Sequence, residues 1–200
     1  MVVYAVYMAT KSTTEKIAAA ARRLLNRHGA EAVTMRRVAE AVGITPMAVY
    51  RHYADRDGLL NALADQGFAE LAAELTGKRY SGNIEQRLTE IADIYLLHAL
   101  RNPRLFELMF LKPRAGARRY PTDFRARRSP TANVMAEAVE EGRKSGYFRE
   151  DDTWEIVFEM GALSHGLILL YLGGRLGVSR DEFRALYRRS FWRYIRGIRK

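Results

Sequence analysis

Apolar positions recur along most of this chain at the three-and-four spacing of helix faces, and no stretch alternates convincingly in the manner of a strand. The spacing and the turn signals between segments predict helices near 13–28, 34–42, 45–52, 56–77, 84–101, 103–111, 129–145, 152–176 and 179–198. Asp55 stands where it would cap the fourth of these. Tyr80-Ser81-Gly82-Asn83 is a natural break, and Asn102-Pro103 ends one helix and opens the next, because a residue before proline is pushed out of the helical region. Residues 112–128, KPRAGARRYPTDFRARR, hold two prolines, a glycine and a dense basic run, and read as a long mobile loop. No internal repeat is evident.

Residues 34–63 carry the densest local signals. Thr34 is placed to cap a helix whose apolar side is Val38, Ala39 and Val42, and Gly43 supplies the left-handed backbone that ends it. Thr45 caps a second helix, with Pro46 at the first helical position, where its missing N–H costs nothing. That helix turns Val49 inward and leaves Met47, Tyr50 and Arg51 to project outward. Two short helices around a tight turn, the second with an exposed tip, suit the major groove of DNA.

The last two helices carry a different pattern. Over 152–176 the apolar residues run almost around the whole circumference, so this helix must be covered on two sides. Over 180–198, Phe183, Leu186, Tyr187, Phe191, Tyr194, Ile195 and Ile198 form one stripe, with Arg184, Arg188, Arg189, Arg193 and Arg196 opposite or flanking it. Covering the first helix by the second and by a symmetry mate gives a four-helix interface between two subunits.

Two hundred residues suffice for one or two small domains with a real core. No apolar stretch reads as long enough to span a bilayer. Residues 1–8, MVVYAVYM, lack a basic leader and are not read as a signal peptide; residues 1–10 read as a disordered or extended arm, with Met8 an alternative start. The absence of cysteine excludes disulfides, thiolate metal sites and thiol catalysis. A formal charge of +10 favours polyanionic partners, since neutralised phosphates release counterions. Much of the excess lies in 112–128 and 180–200, however, and there the alternative is a merely solvated surface.

Candidate catalytic chemistry is lacking. Of the four histidines, His28 suits the negative end of the first helix, while His98 and His165 have no carboxylate or histidine three or four residues on, so zinc spacing is missing. No nucleophile elbow, phosphate-cradling glycine loop or H-E-x-x-H run is present, and Glu140-Glu141 and Asp151-Asp152 sit at helix ends where capping and solvation explain them. The expectation is a protein with no catalytic residue, no metal and no cofactor.

Thr34, Val38, Ala39, Ala41, Gly43, Ile44, Val49, Tyr50, His52, Tyr53, Arg56, Leu59 and Leu60 together resemble the N-terminal domain of the TetR family of one-component transcriptional repressors. The preceding EKIAAAARRLLNRHG, from Glu15 to Gly29, is similar to that family's first helix. Ala48 stands where the family often carries a hydroxyl, and Arg56 replaces its usual lysine. A weaker similarity, His165-Gly166-Leu167 with Gly173-Gly174, touches the family's regulatory domain. The resemblance implies an all-α fold, with an N-terminal three-helix helix-turn-helix DNA-binding domain over 11–56 and a C-terminal helical ligand-binding and dimerisation domain over 57–200.

It also implies roles. Thr34, Arg36, Thr45, Pro46, Met47, Tyr50, His52 and Arg56 are the expected DNA contacts, with Tyr53 a core aromatic. Tyr95, His98, Phe106, Met109, Phe110, Met135, Phe158 and His165 are the positions expected around a small-molecule effector. The implied protein is a cytoplasmic, sequence-specific regulator, a repressor by family habit. It is a homodimer through 152–176 and 180–198 and leaves a palindromic double-stranded operator when a small apolar or aromatic ligand binds. The rivals are a non-specific nucleic-acid-coating protein, supported by the charge, and a membrane-surface protein using the arginine-rich 180–198.

Overall fold

Ser12 opens the first helix, α1 (Thr13–His28), through a capping box in which its hydroxyl accepts from the Glu15 amide while the Glu15 carboxylate accepts from the Ser12 amide. The computed structural model describes residues 12–114 and 116–200, so the expected arm over 1–10 lies outside the described residues. After a short 3-10 turn at Ala30–Ala32 come α2 (Met35–Val42), α3 (Pro46–Tyr50) and α4 (Arg56–Thr76). Each starts on its marked residue: the side chains of Thr34, Thr45 and Asp55 accept from the amides of Arg37, Ala48 and Gly58. Gly43, at φ 78° and ψ 36°, takes the left-handed conformation that turns α2 into α3.

The body comprises α5 (Ile84–Arg101), α6 (Pro103–Phe110), α7 (Thr122–Arg125), α8 (Pro130–Lys144), α9 (Thr153–Leu172) and α10 (Arg180–Gly197). α5 is its axis, packing on α4, α6, α8, α9 and α10. Among the described residues no strand forms; Phe148 and Arg199 make an isolated bridge. One buried core runs from Ile17, Val38 and Val49 in the head through Leu63 and Leu71 of α4 to Leu96, Phe106, Ile168 and Phe191 in the body. Tyr187 sits at its far end, its hydroxyl 3.1 Å from the Ala92 carbonyl and 2.9 Å from Ser164 Oγ, and burial pushes the phenol well above its usual pKa. Nearby, Arg188 grips Asp93 with a two-nitrogen fork at 2.6–2.9 Å.

α4 and α6 come unusually close at Gly67, where a Cβ would lie 2.6 Å from Met109 Sδ and 2.9 Å from Leu105 Cδ2. Any side chain there would hold the two helices apart, so glycine is what lets α6 lie flat on the connector helix.

Three expectations need amending. The helix expected over 152–176 stops at Leu172, because Gly173 and Gly174 follow and Gly174 adopts φ 68°. The loop at 112–128 is not free: it contains α7, Tyr120 stacks on Phe158 at 4.4 Å, and Phe124 meets Trp154 and Phe158 edge-on. Asp123 ties it further, accepting from the Arg119 amide and pairing with Arg128, contacts that hold its carboxyl below the usual value. Thirdly, α9 is by length and composition apolar enough to cross a membrane, contrary to the reading that no stretch is. The periodicity rule undercounts it because Glu155 and Glu159 lie in its first turns, and in the fold it packs against α5, α8 and α10.

Candidate functional site

Two features stand out as built for recognition, an exposed tip on the head and a cavity in the body. On the head, Val49 is fully buried and anchors α3, while Met47 is 67% and Tyr50 47% exposed. A single exposed apolar side chain is ordinary on a protein surface, so Met47 counts here only together with Tyr50 and the cations around it. Thr45 and Pro46 are exposed beside it, and Thr45 uses its hydroxyl for the Ala48 amide. Arg36, on the outer side of α2, is exposed, and neither it nor Arg37 nor Arg51 forms an ion pair among the described residues. Thr34 is the half-buried cap of α2.

His52 closes the same surface from the α3–α4 junction. Its Nδ1 lies 2.9 Å from the Thr14 hydroxyl at the start of α1, which fixes the ring and leaves Nε2 without a partner among the described residues. Tyr53, half-buried against the core, has its phenol pKa raised by burial and is a packing residue. Arg56 is placed differently from the other expected contacts. Its Nε donates to the Val33 carbonyl and its Nη2 to the Ala30 carbonyl, both at 2.8 Å, with Glu31 at 3.3 Å. It braces the turn between α1 and α2, a task invisible in the sequence because the 3-10 turn was not foreseen.

In the body, a cavity of about 340 Å³ opens between α4, α5, α6, α8 and α9, under the 112–128 loop. Of the expected residues, Tyr95, Met109, Phe110, Met135, Phe158 and His165 line it. Phe106 stands one layer behind, its ring 4.7 Å from Phe110 and 5.5 Å from His165. His98 is elsewhere: buried at the α4–α5 seam, its Nδ1 is 3.1 Å from Glu74, which also takes Arg101 at 2.6 Å. It shares a face of α5 with Ile91 and Tyr95 but stands nearly a turn beyond Tyr95, where Glu74 of α4 takes it up. Sequence reasoning missed Phe68, Arg114, Arg118, Phe124, Ser129 and Thr131, which also line the cavity. Four of these lie in or beside a loop that carries no periodicity to phase them.

The polar lining is already partly committed. His165 Nδ1 is 3.0 Å from the Gly161 carbonyl, which can only accept, so Nδ1 carries the proton and Nε2 accepts from the Tyr95 hydroxyl at 2.7 Å. Burial holds the imidazole below its usual pKa and raises the Tyr95 phenol well above its own, so both are neutral near pH 7.

Head and cavity are joined through α6. At its N-terminal end Asn102 Oδ1 accepts from Arg22 of α1 at 3.4 Å, and Arg104 donates to the Asn26 carbonyl at 3.1 Å. At its C-terminal end Met109 and Phe110 form cavity wall. Arg22 also pairs with Glu70 of α4 at 3.1 Å, so α1, α4 and α6 meet on one largely buried guanidinium.

Comparison with known proteins agrees with this architecture. Residues 17–63 match the family described as bacterial regulatory proteins, tetR family, and residues 88–191 match the tetracyclin repressor-like C-terminal domain. The HTH-type transcriptional repressor AcnR of Corynebacterium efficiens is 27% identical over 129 residues, covering 64% of this chain and 62% of that protein. AcnR of Corynebacterium diphtheriae is 38% identical over 58 residues, 29% of this chain and 30% of its own. The chain thus aligns with less than two thirds of these relatives' length. Among solved structures, a protein of unknown function from Rhodococcus sp. RHA1 superposes with a TM-score of 0.78 at 25% identity, covering 98% of this chain and 100% of that one. A TetR variant from Acinetobacter baumannii AYE, in complex with minocycline, has a TM-score of 0.67 at 22% identity, covering 94% and 96%.

Proposed function

The chain belongs to the TetR family of bacterial regulatory proteins, and from that premise we propose that it is a sequence-specific, DNA-binding transcriptional repressor, cytoplasmic and released from a palindromic operator by a small ligand. The observation that carries the reading is the exposed tip of α3. Met47 and Tyr50 protrude beside the unpaired cations Arg36, Arg37 and Arg51. Thr45, Pro46 and Met47 would meet base edges, and Tyr50 and His52 Nε2 would meet phosphate oxygens. Arg36 would reach a base or a phosphate. The reading head is taken as residues 11–56 and the sensing and dimerising body as 57–200.

Two copies would pair through α9 and α10. Ala162, Gly166 and Leu170 form an exposed stripe on α9, beside exposed Ala185 and Arg189 and half-buried Leu186 on α10. Small residues at 162 and 166 permit the close approach of a partner helix, and a palindromic site calls for a two-fold symmetric reader.

The cavity supports the ligand, as does the minocycline bound by the A. baumannii relative. A molecule filling it presses on Met109 and Phe110. Because Met109 abuts α4 at Gly67 and the far end of α6 holds α1, the displacement is delivered to the head from both sides. The two heads then adopt a separation unsuited to the two half-sites, and DNA affinity falls by the ligand's differential affinity for the two states.

The test is selection of fragments from the source genome at near-physiological salt, followed by sequencing, for the native chain and for Arg36→Ala with Tyr50→Ala. Enrichment of a few palindromic sites that disappears in the double variant is the expected result. Uniform retention that survives the substitutions would refute the repressor reading in favour of non-specific coating by the basic body.

A further inference from the structure

The cavity described above has a polarity that its apolar walls conceal. Among the described residues no aspartate or glutamate lines it, whereas Arg114 and Arg118 both do. The Arg114 side chain is only 5% exposed, lying over the Phe68 ring at 5.1 Å and reaching Asp65 with one nitrogen at 2.8 Å. Its Nε is buried and has no hydrogen-bond partner among the described residues. A buried guanidinium N–H without an acceptor is costly, and such groups are normally satisfied.

Among the described residues none of the neighbouring polar groups supplies that acceptor. Tyr95 and His165 are spent on each other and on the Gly161 carbonyl. Ser129 and Thr131, whose hydroxyl oxygens lie 3.3 Å apart, engage each other and also line the cavity, where each can still offer a proton to a bound anion. Asp65 is itself 65% exposed, so it holds Arg114 from the solvent side and leaves the inward side of the fork uncompensated.

Taking the ligand-release reading as given, we propose that the effector is an amphipathic organic anion, an aromatic or aliphatic body ending in a carboxylate, with Arg114 as its anchor. The body fills the space between Phe110, Met135 and Phe158, and the carboxylate takes the Arg114 Nε–H and the hydroxyls of Ser129 and Thr131. Arg118 is already donating its Nε–H to the Arg128 carbonyl and contributes long-range attraction at the mouth. A guanidinium fork recognises a planar carboxylate better than it recognises any neutral oxygen.

The experiment is calorimetric titration of the full-length protein with two matched pairs, naphthoate against naphthamide and decanoate against decanamide. The carboxylates are expected to bind at least about tenfold more tightly than their amides. Arg114→Gln is expected to abolish that preference while leaving amide binding in place. Asp65→Asn, by releasing the guanidinium from its competitor, is expected to strengthen carboxylate binding alone; this variant decides the matter if Arg114→Gln does not fold. Ala132→Phe, which fills the cavity, is expected to eliminate every titration. Equal binding of acid and amide, both lost in Ala132→Phe, would overturn the anion inference and leave a neutral effector. No binding of any probe, or binding that survives Ala132→Phe, would overturn the cavity as the effector site and the inference with it.

Discussion

Replacing Gly67 by alanine tests the contact through which the cavity is held to act on the head. In a helix interior the exchange alone would stabilise, by about 1 kcal/mol, because glycine has more conformational freedom to lose. Here the new methyl would lie 2.6 Å from Met109 Sδ and 2.9 Å from Leu105 Cδ2. Carbon contacts settle near 3.5–4.0 Å, so α4 and α6 must part by close to an ångström or a side chain must leave its well. Met109 is flexible and can swing, but Leu105 is fully buried and cannot. Overpacking of this kind costs about 1–3 kcal/mol, so the net loss is about 0–2 kcal/mol after the propensity gain. Urea unfolding at a fixed protein concentration should show a lower midpoint with unchanged slope. In a double-mutant cycle with Met109→Ala, the two losses should sum to more than the loss of the pair, since the shortened side chain vacates the space that the new methyl needs. A Gly67→Ala protein stabilised by the full propensity gain of about 1 kcal/mol would mean that α6 yields freely, and the mechanical link from cavity to connector would be refuted.

Arg56→Ala strips two carbonyls of their donor and should destabilise the head by about 1–3 kcal/mol while leaving the salt dependence of DNA binding unchanged, which separates a brace from a phosphate contact. Gly166→Arg places its side chain where nothing lies within 4 Å in the single chain, so the protein should stay folded by circular dichroism yet sediment as a monomer and lose its DNA affinity. For His165 the folded-state pKa lies below 6.5, so as the pH falls through that value the unfolded chain takes up the proton first. Its share of stability is therefore complete above about pH 6.5 and is lost below it, and His165→Phe should flatten that part of a pH series of unfolding midpoints.

Helix positions were legible wherever a cap and a periodic face coincided. Thr34, Thr45, Asp55, Asn83 and Pro103 each mark a true start, because capping is a local contest that sequence neighbours decide. The cavity was half legible. Tyr95, Phe110 and His165 could be phased on their helices, whereas His98 has a similar phase but lies further along α5 and found Glu74 across the α4 seam. Arg114 and Arg118 were seen only as charge, since a basic run without periodicity gives no direction to its side chains. The α7 turn and the role of Arg56 depend on tertiary partners, Phe158 and the Ala30 and Val33 carbonyls, that lie tens of residues away.

That the basic side of the cavity comes from a connecting segment has a consequence for how such proteins diversify. Arg114 and Arg118 belong to no helix, and the bundle beneath them is assembled from other residues. Exchanges at these two positions can alter the charge of the molecule that is welcomed while the scaffold folds as before. The surface proposed to meet DNA lies at the other end of α6 and is untouched by them. On the proposed reading, a lineage could therefore re-address an existing genetic control point to a new chemical signal in a few steps, inheriting the target and changing only the message.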